Sequence, residues 1–221
     1  YMLYLSYIMQ DGYISDKTNL VMYSIGITGN IACGKSQALN FFKALGAKTI
    51  SADIIARTLT VAGQPAWHKI VQHFSTHILK DDNELNRTLL REIISQNSLE
   101  RIWLESLLHP LIRLEIQHFI QNNTSDLTVV EIPLLLNRAD YPYLNRILVL
   151  LVPSDIQLQR LLMRDGCTIK QAQAMMALQP SEHVRRQVAD DIIINSADKN
   201  KLKHDITHLY EKYTFLAQNH F

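Results

Sequence analysis

Between Gly29 and Ser36 the chain reads Gly-Asn-Ile-Ala-Cys-Gly-Lys-Ser, a fit to the spacing G-x-x-x-x-G-K-[ST]. The chemistry this spacing offers is the binding of a phosphate chain. Gly29 and Gly34 let the backbone turn its N–H groups inward with no side chain in the way, and Asn30, Ile31, Ala32 and Cys33 supply amides between them. A helix beginning at this point aims the positive end of its dipole at the same anion. Lys35 is placed to reach the β- and γ-phosphates of ATP, and the Ser36 hydroxyl to take a position on Mg²⁺. Phosphoryl transfer then needs the developing charge neutralised and an accepting hydroxyl aimed in line. Asp53 is the candidate to accept or orient that proton, with capping of a helix as its structural alternative. Arg160 and Arg164, spaced i,i+4, share a helix face and could close over the phosphates, although a solvated face is the common fate of such charges.

The elements that must position these residues follow from periodicity. Ile25 and Ile27 mark a buried strand feeding the loop, and residues 37–45 a helix leaving it. Residues 47–50 predict a second strand that ends at Ser51-Ala52-Asp53, and open α/β sheets bind their ligands at the carboxyl ends of such strands. From Gly63 to Asn123 the pattern is helical, with Ser98 expected to cap one helix running up to Leu108 and Pro110 to open another. Residues 127–132 and 146–152 are apolar on both faces and predict buried parallel strands, joined through the apolar loop Pro133-Leu134-Leu135. Helices carrying Arg160 and Arg164 and spanning 169–178 follow, then a stretch with Arg185 and Arg186, a last strand at 190–194 and a closing helix over 199–218. The fold class is α/β, a three-layer P-loop NTPase-type parallel sheet with a helical acceptor-binding insertion and a helical lid. The nucleotide core is expected over 23–53, 126–154 and 188–221, the insertion over 54–125 and the lid over 155–187.

Composition narrows the function classes. The chain has 221 residues, 47% hydrophobic and 19% charged, with net charge +1. That balance gives no whole-chain field for nucleic acid or an anionic membrane, so neither is an expected partner. No apolar run approaches the ~20 residues of a membrane span. Residues 1–22 form an N-terminal extension expected to be poorly ordered, and Asp11 and Asp16 behind its apolar start argue against a secretory signal. Cys33 and Cys167 make no disulfide framework, which points to a reducing, cytoplasmic setting, and Cys33 is read as a tolerated small residue in preference to a reactive thiol. His73 with His77, and His204 with His208, have i,i+4 spacing but no third ligand, so surface positions are favoured over a metal site.

Several ordered motifs resemble the dephospho-coenzyme A kinase family over about residues 22–210. They are Ile-Gly-Ile-Thr-Gly at 25–29, Gly-Lys-Ser at 34–36, Ala-Asp-Ile-Ile-Ala-Arg at 52–57, Gly-Gln-Pro-Ala at 63–66 and Leu-Leu-His-Pro-Leu-Ile at 107–112. Pro-Leu-Leu at 133–135, Gln-Arg-Leu-Leu-Met-Arg at 159–164, Gln179, Arg185, Ala-Asp-Asp at 189–191 and Asn195 complete the set. The resemblance implies ATP-dependent phosphorylation of the ribose 3′-hydroxyl of dephospho-CoA, with ATP and Mg²⁺ as cofactors and a monomer or weak homo-oligomer. Asp53 would sit at the acceptor hydroxyl. Arg57, His109, Pro133, Leu134 and Leu135 would line the acceptor side, Arg160 and Arg164 would form the lid, and Asn195 would lie near the adenine of ATP. The sequence departs from the family pattern in having Asn30 for a glycine, Ser51 for an acid two positions before Asp53, and Asn137 for an acid after Pro-Leu-Leu. Another small-metabolite or nucleoside monophosphate kinase, or a nucleotide switch without catalysis, is the alternative that the phosphate loop alone allows.

Overall fold

Side chains alternate across a strand, and in Tyr23–Gly29 (β1) the alternation sets the layers. Tyr23, Ile25 and Ile27 enter one apolar core. Ser24, Gly26 and Thr28 meet the chain crossing the other face: the Ser24 hydroxyl donates to Tyr143 O, Thr28 to Pro133 O, and a Cβ on Gly26 would strike Leu135 and Leu144. In the computed structural model, which describes residues 23–123 and 125–219, β1 is the central strand of a five-stranded sheet. The expectation for residues 1–22 lies outside the described residues. The order is β2-β3-β1-β4-β5, from Lys48–Ser51 (β2), Leu127–Glu131 (β3), Arg146–Leu151 (β4) and Asp191–Ile194 (β5), and every pairing is parallel.

Helices cover both faces, as a fully buried parallel sheet requires. Lys35–Ala44 (α1) and Lys199–Gln218 (α9) bury Phe42, Ile206 and Tyr213 against one side. Ala52–Leu59 (α2) and Ser98–Gln121 (α5) bury Ile55, Ile116 and Ile120 against the other. The three-layer expectation holds. Between β2 and β3 the chain makes α2, Pro65–Phe74 (α3), Arg87–Gln96 (α4) and α5, and the last three enclose a satellite core around Ile70, Phe74, Leu90 and Leu104.

One boundary differs from the sequence expectation. Pro110 does not open a new helix; α5 is one helix of 24 residues with Pro110 inside it, capped by Asn97, whose side chain accepts from the N–H groups of Leu99 and Glu100. An interior proline costs a helix about 3 kcal/mol. Here the two halves are anchored in different cores, Leu104 in the satellite and Ile116 and Ile120 under the sheet, and burial of each such side chain returns about 1.5–3 kcal/mol. After β4 come Ser154–Asp165 (α6), Ile169–Ala177 (α7), started by a Thr168/Gln171 capping box, and Glu182–Val188 (α8). The stretch expected only to carry Arg185 and Arg186 is thus a short helix. Among the described residues no helix is long and apolar enough to cross a membrane.

Candidate active site

The loop from β1 to α1 takes the phosphate-cradling form because its backbone visits conformations that side chains oppose. Gly34 has φ of 99°, and a Cβ there would collide with the Asn195 side chain. Lys35 is the first residue of α1, and its ammonium is folded back onto the carbonyls of Gly29 and Asn30, 2.9 Å from each. Ser36 is exposed, its Oγ 3.3 Å from Glu131 Oε1. Cys33 is buried, and burial pushes its thiol up against the pull of Lys35, so it packs as a small apolar residue and is no reactive thiolate.

Side chains from the far half of the sequence brace this loop. Gln157 Nε2 donates to Ile31 O at 2.9 Å, and Gln179 Oε1 accepts from Ile31 N at 3.2 Å. Asn195 is buried, with Nδ2 donating to Cys33 O at 2.9 Å. Arg185 is fully buried; its Nε donates to Asn30 Oδ1 at 2.5 Å and its Nη1 to Thr28 Oγ1 and Pro133 O at 3.1 and 3.4 Å. Asn30, the departure from a family glycine, therefore meets a specific partner.

Two carboxylates stand at neighbouring strand ends. Ser51 caps α2 by accepting from Asp53 N, so the cap is filled and the exposed Asp53 carboxylate is free for other work. Glu131 ends β3, paired in register with Ser51 on one side and Ile27 on the other. It is only 7% exposed; burial raises its pKa, with Lys35 and the Ser36 hydroxyl opposing and the Asp53 charge adding to the rise.

A cavity of about 1150 Å³ joins these groups. Its walls include Gly29, Ile31, Ala32, Gly34, Lys35, Ser36, Asp53, Glu131, Pro133, Leu134, Arg160 and Arg164, so most of the sequence-selected residues converge on one space. Others stand apart. Arg57 and His109 are exposed and not on the wall, Leu135 is buried in the sheet core, and Asn195 lies behind the loop. Arg164 is ion-paired with Asp165 at 2.7 Å, and Arg160 reaches Ala197 O at 3.5 Å. Sequence reasoning missed Glu131 and Arg91, both on the wall. The signal for Glu131 was a charge ending the apolar run Leu127–Val130, where a core strand would otherwise continue. The other departures have local roles: Ser51 is the α2 cap, and Asn137 Oδ1 accepts from Ala139 N at a 3₁₀ turn.

Ser36 and Glu131 present hard oxygen donors side by side, which suits Mg²⁺, an ion that keeps waters and phosphate oxygens and needs few protein ligands. Among the described residues no three His, Cys, Asp or Glu side chains gather as a metal group. His73 instead stacks on Trp103 at 3.7 Å and contacts Glu100 Oε2 at 2.6 Å.

A phosphate loop at the carboxyl end of a central parallel strand, with a free acid two strand ends away and arginines on the wall of the same cavity, defines a P-loop kinase. The shikimate kinase of Acinetobacter baumannii, solved with shikimate, shares the fold: TM-score 0.50 over 87% of this chain and 95% of that one, at 14% identity. The chain belongs to the dephospho-CoA kinase family, whose model matches residues 23–201. It is 45% identical over 193 residues to the dephospho-CoA kinase of Legionella pneumophila strain Paris, covering 87% of this chain and 96% of that protein. To the Escherichia coli K12 dephospho-CoA kinase it is 40% identical over 195 residues, 88% and 95% of the two chains. The Campylobacter jejuni dephospho-CoA kinase structure superimposes with TM-score 0.65 at 28% identity, covering 90% of this chain and 98% of that one.

Proposed function

We propose that this chain transfers the γ-phosphoryl group of ATP to the ribose 3′-hydroxyl of dephospho-CoA, giving CoA and ADP, the last step of coenzyme A synthesis. The observation that carries the reading is the uncommitted Asp53 carboxylate, freed from capping by Ser51 and sharing one cavity with Lys35 and Ser36. In this reading the loop amides and Lys35 hold the triphosphate, and Lys35 leaves its two loop carbonyls when phosphate arrives. Asp53 orients the acceptor hydroxyl and takes its proton as the new O–P bond forms and the β–γ bridging O–P bond breaks, leaving ADP. Ser36 and Glu131 would hold Mg²⁺, which would supply neutralisation of phosphate charge. Residues 155–187, with Arg160 and Arg164, act as a lid that stabilises the transferring group and excludes water, and 54–125 hold the acceptor. Free Cys33 and Cys167 fit a reducing, cytoplasmic setting.

The test is a product assay with ATP, Mg²⁺ and dephospho-CoA beside a panel of nucleoside monophosphates and small alcohols. Asp53→Asn should lose about 10²–10⁴-fold in kcat while ATP affinity stays nearly unchanged. Phosphate on other acceptors and none on dephospho-CoA would reassign the chain to another small-metabolite kinase.

A further inference from the structure

Arg91 has no place in the sequence reading, yet it stands on the cavity wall with Asp53. Its position is fixed by its neighbour one helical turn back. Arg87 and Arg91 share a face of α4 at i,i+4 spacing. Arg87 Nη2 donates to Arg57 O at 3.3 Å and Thr60 Oγ1 at 3.0 Å, gripping the carboxyl end of α2, the helix that carries Asp53 near its start. The same face thus delivers the Arg91 side chain to the cavity wall. Arg91 is exposed and makes no hydrogen bond or ion pair among the described residues. Four cations line the cavity: Lys35, Arg160 and Arg164 come from the phosphate loop and α6, and Arg91 alone from the helices between β2 and β3. Arg57, the expected acceptor-side cation, is off the wall, with its carbonyl engaged by Arg87.

An acceptor whose ribose hydroxyl rests at Asp53 carries a 5′-diphosphate on the far side of the same sugar. With the donor triphosphate occupying the loop, the acceptor's anion needs its own cation, and a planar guanidinium binds phosphate oxygens in pairs. We propose that Arg91 binds the diphosphate bridge of the acceptor and thereby selects nucleoside acceptors bearing a 5′-diphosphate over those without one. The inference rests on the function proposed above.

Steady-state kinetics of Arg91→Gln and Arg91→Lys test it, with adenosine as a competitive inhibitor against dephospho-CoA. Arg91 is exposed and has no partner among the described residues, so its removal should leave folding intact, checked by thermal melting. Arg91→Gln should raise KM for dephospho-CoA about 30-fold, the usual scale for a lost charge-assisted bond, with kcat and KM for ATP within about twofold. Arg91→Lys should recover part of the loss. The inhibition constant of adenosine, which lacks the diphosphate, should not move. An unchanged acceptor KM, a loss carried by kcat or by ATP, or an adenosine constant weakened in parallel would overturn the assignment. A wild-type enzyme that makes no product from dephospho-CoA would instead overturn the function on which it rests, and the assignment with it.

Discussion

Glu131 shows how one side chain can work against the fold that carries it. Its carboxyl is buried between Ser36, Ser51 and Lys35, and burial holds its pKa above the ordinary carboxylate value. A raised folded-state pKa favours the protonated form, so Glu131's contribution to stability is present in acid and is lost as pH rises through the raised value. At neutral pH the ionised group is a cost, and in the proposed role a bound cation would relieve it. Glu131→Gln, which keeps an acceptor oxygen for Ser36, should therefore melt above wild type at pH 7–8 in the absence of nucleotide, with the gap closing toward pH 4. Mg²⁺ with ATP should raise the melting temperature of wild type more than that of the variant. Turnover should fall by about 10²-fold, as the loss of several kcal/mol of metal-mediated charge stabilisation implies. Melting curves across pH, with and without Mg²⁺-ATP, decide this; a variant less stable than wild type at every pH would show that Glu131 is a structural bond and no metal ligand.

Among the elements, α8 has a consequence out of proportion to its seven residues. Its Arg185 ties three segments together: the phosphate loop at Asn30, the central strand at Thr28 and the loop after β3 at Pro133 O. A lysine carries the same charge but is a point donor and cannot span these positions. Arg185→Lys should raise KM for ATP about tenfold, the scale of one net hydrogen bond to a charged group, and Arg185→Met should cost more in both KM and thermal stability, since it leaves Asn30 and Thr28 without their donor. Retained ATP KM in Arg185→Lys, with only a lower melting temperature, would mark the contact as packing alone. None of this geometry was legible in the sequence, because hydrogen bonds across 155 and 157 residues depend on which strands are neighbours. Local pattern gave the five strands, the phosphate loop and Asp53, each of which is encoded within a few residues. The order β2-β3-β1-β4-β5 is not encoded locally, and it is this order that brings Glu131 beside Ser36. Pro110 misled for the related reason that a local helix breaker is overridden when two separate cores hold the helix on either side of it.

At the scale of the whole molecule, a parallel sheet gathers all its carboxyl ends on one edge and all its amino ends on the other, and the two edges carry different loads. The carboxyl edge holds the loop, Asp53 and Glu131. The amino edge holds Asp191, which opens β5 and is paired with β4 and α9: its Oδ2 accepts from Arg146 Nε at 2.8 Å and Tyr213 OH at 2.9 Å, and its Oδ1 from Lys212 Nζ at 2.5 Å. Burial alone would raise the pKa of this carboxyl, but the bonds from Arg146, Lys212 and Tyr213 hold it below the ordinary value. A depressed folded-state pKa contributes stability that is present above the unfolded value and lost as pH falls through the folded one. Asp191→Asn should therefore lose on the order of 2 kcal/mol at pH 7, less than a fully buried pair because Arg146 and Lys212 are 26% and 40% exposed. Urea unfolding should show the gap shrinking as pH drops below the carboxylate range. The kinetic constants for ATP and acceptor should stay within about twofold of wild type at 25 °C, because Asp191 stands at the amino edge of the sheet and the phosphate loop at its carboxyl edge. A matching loss of kcat would mean that the amino edge helps to set the geometry of the carboxyl edge, and that the sheet does not separate stability from chemistry.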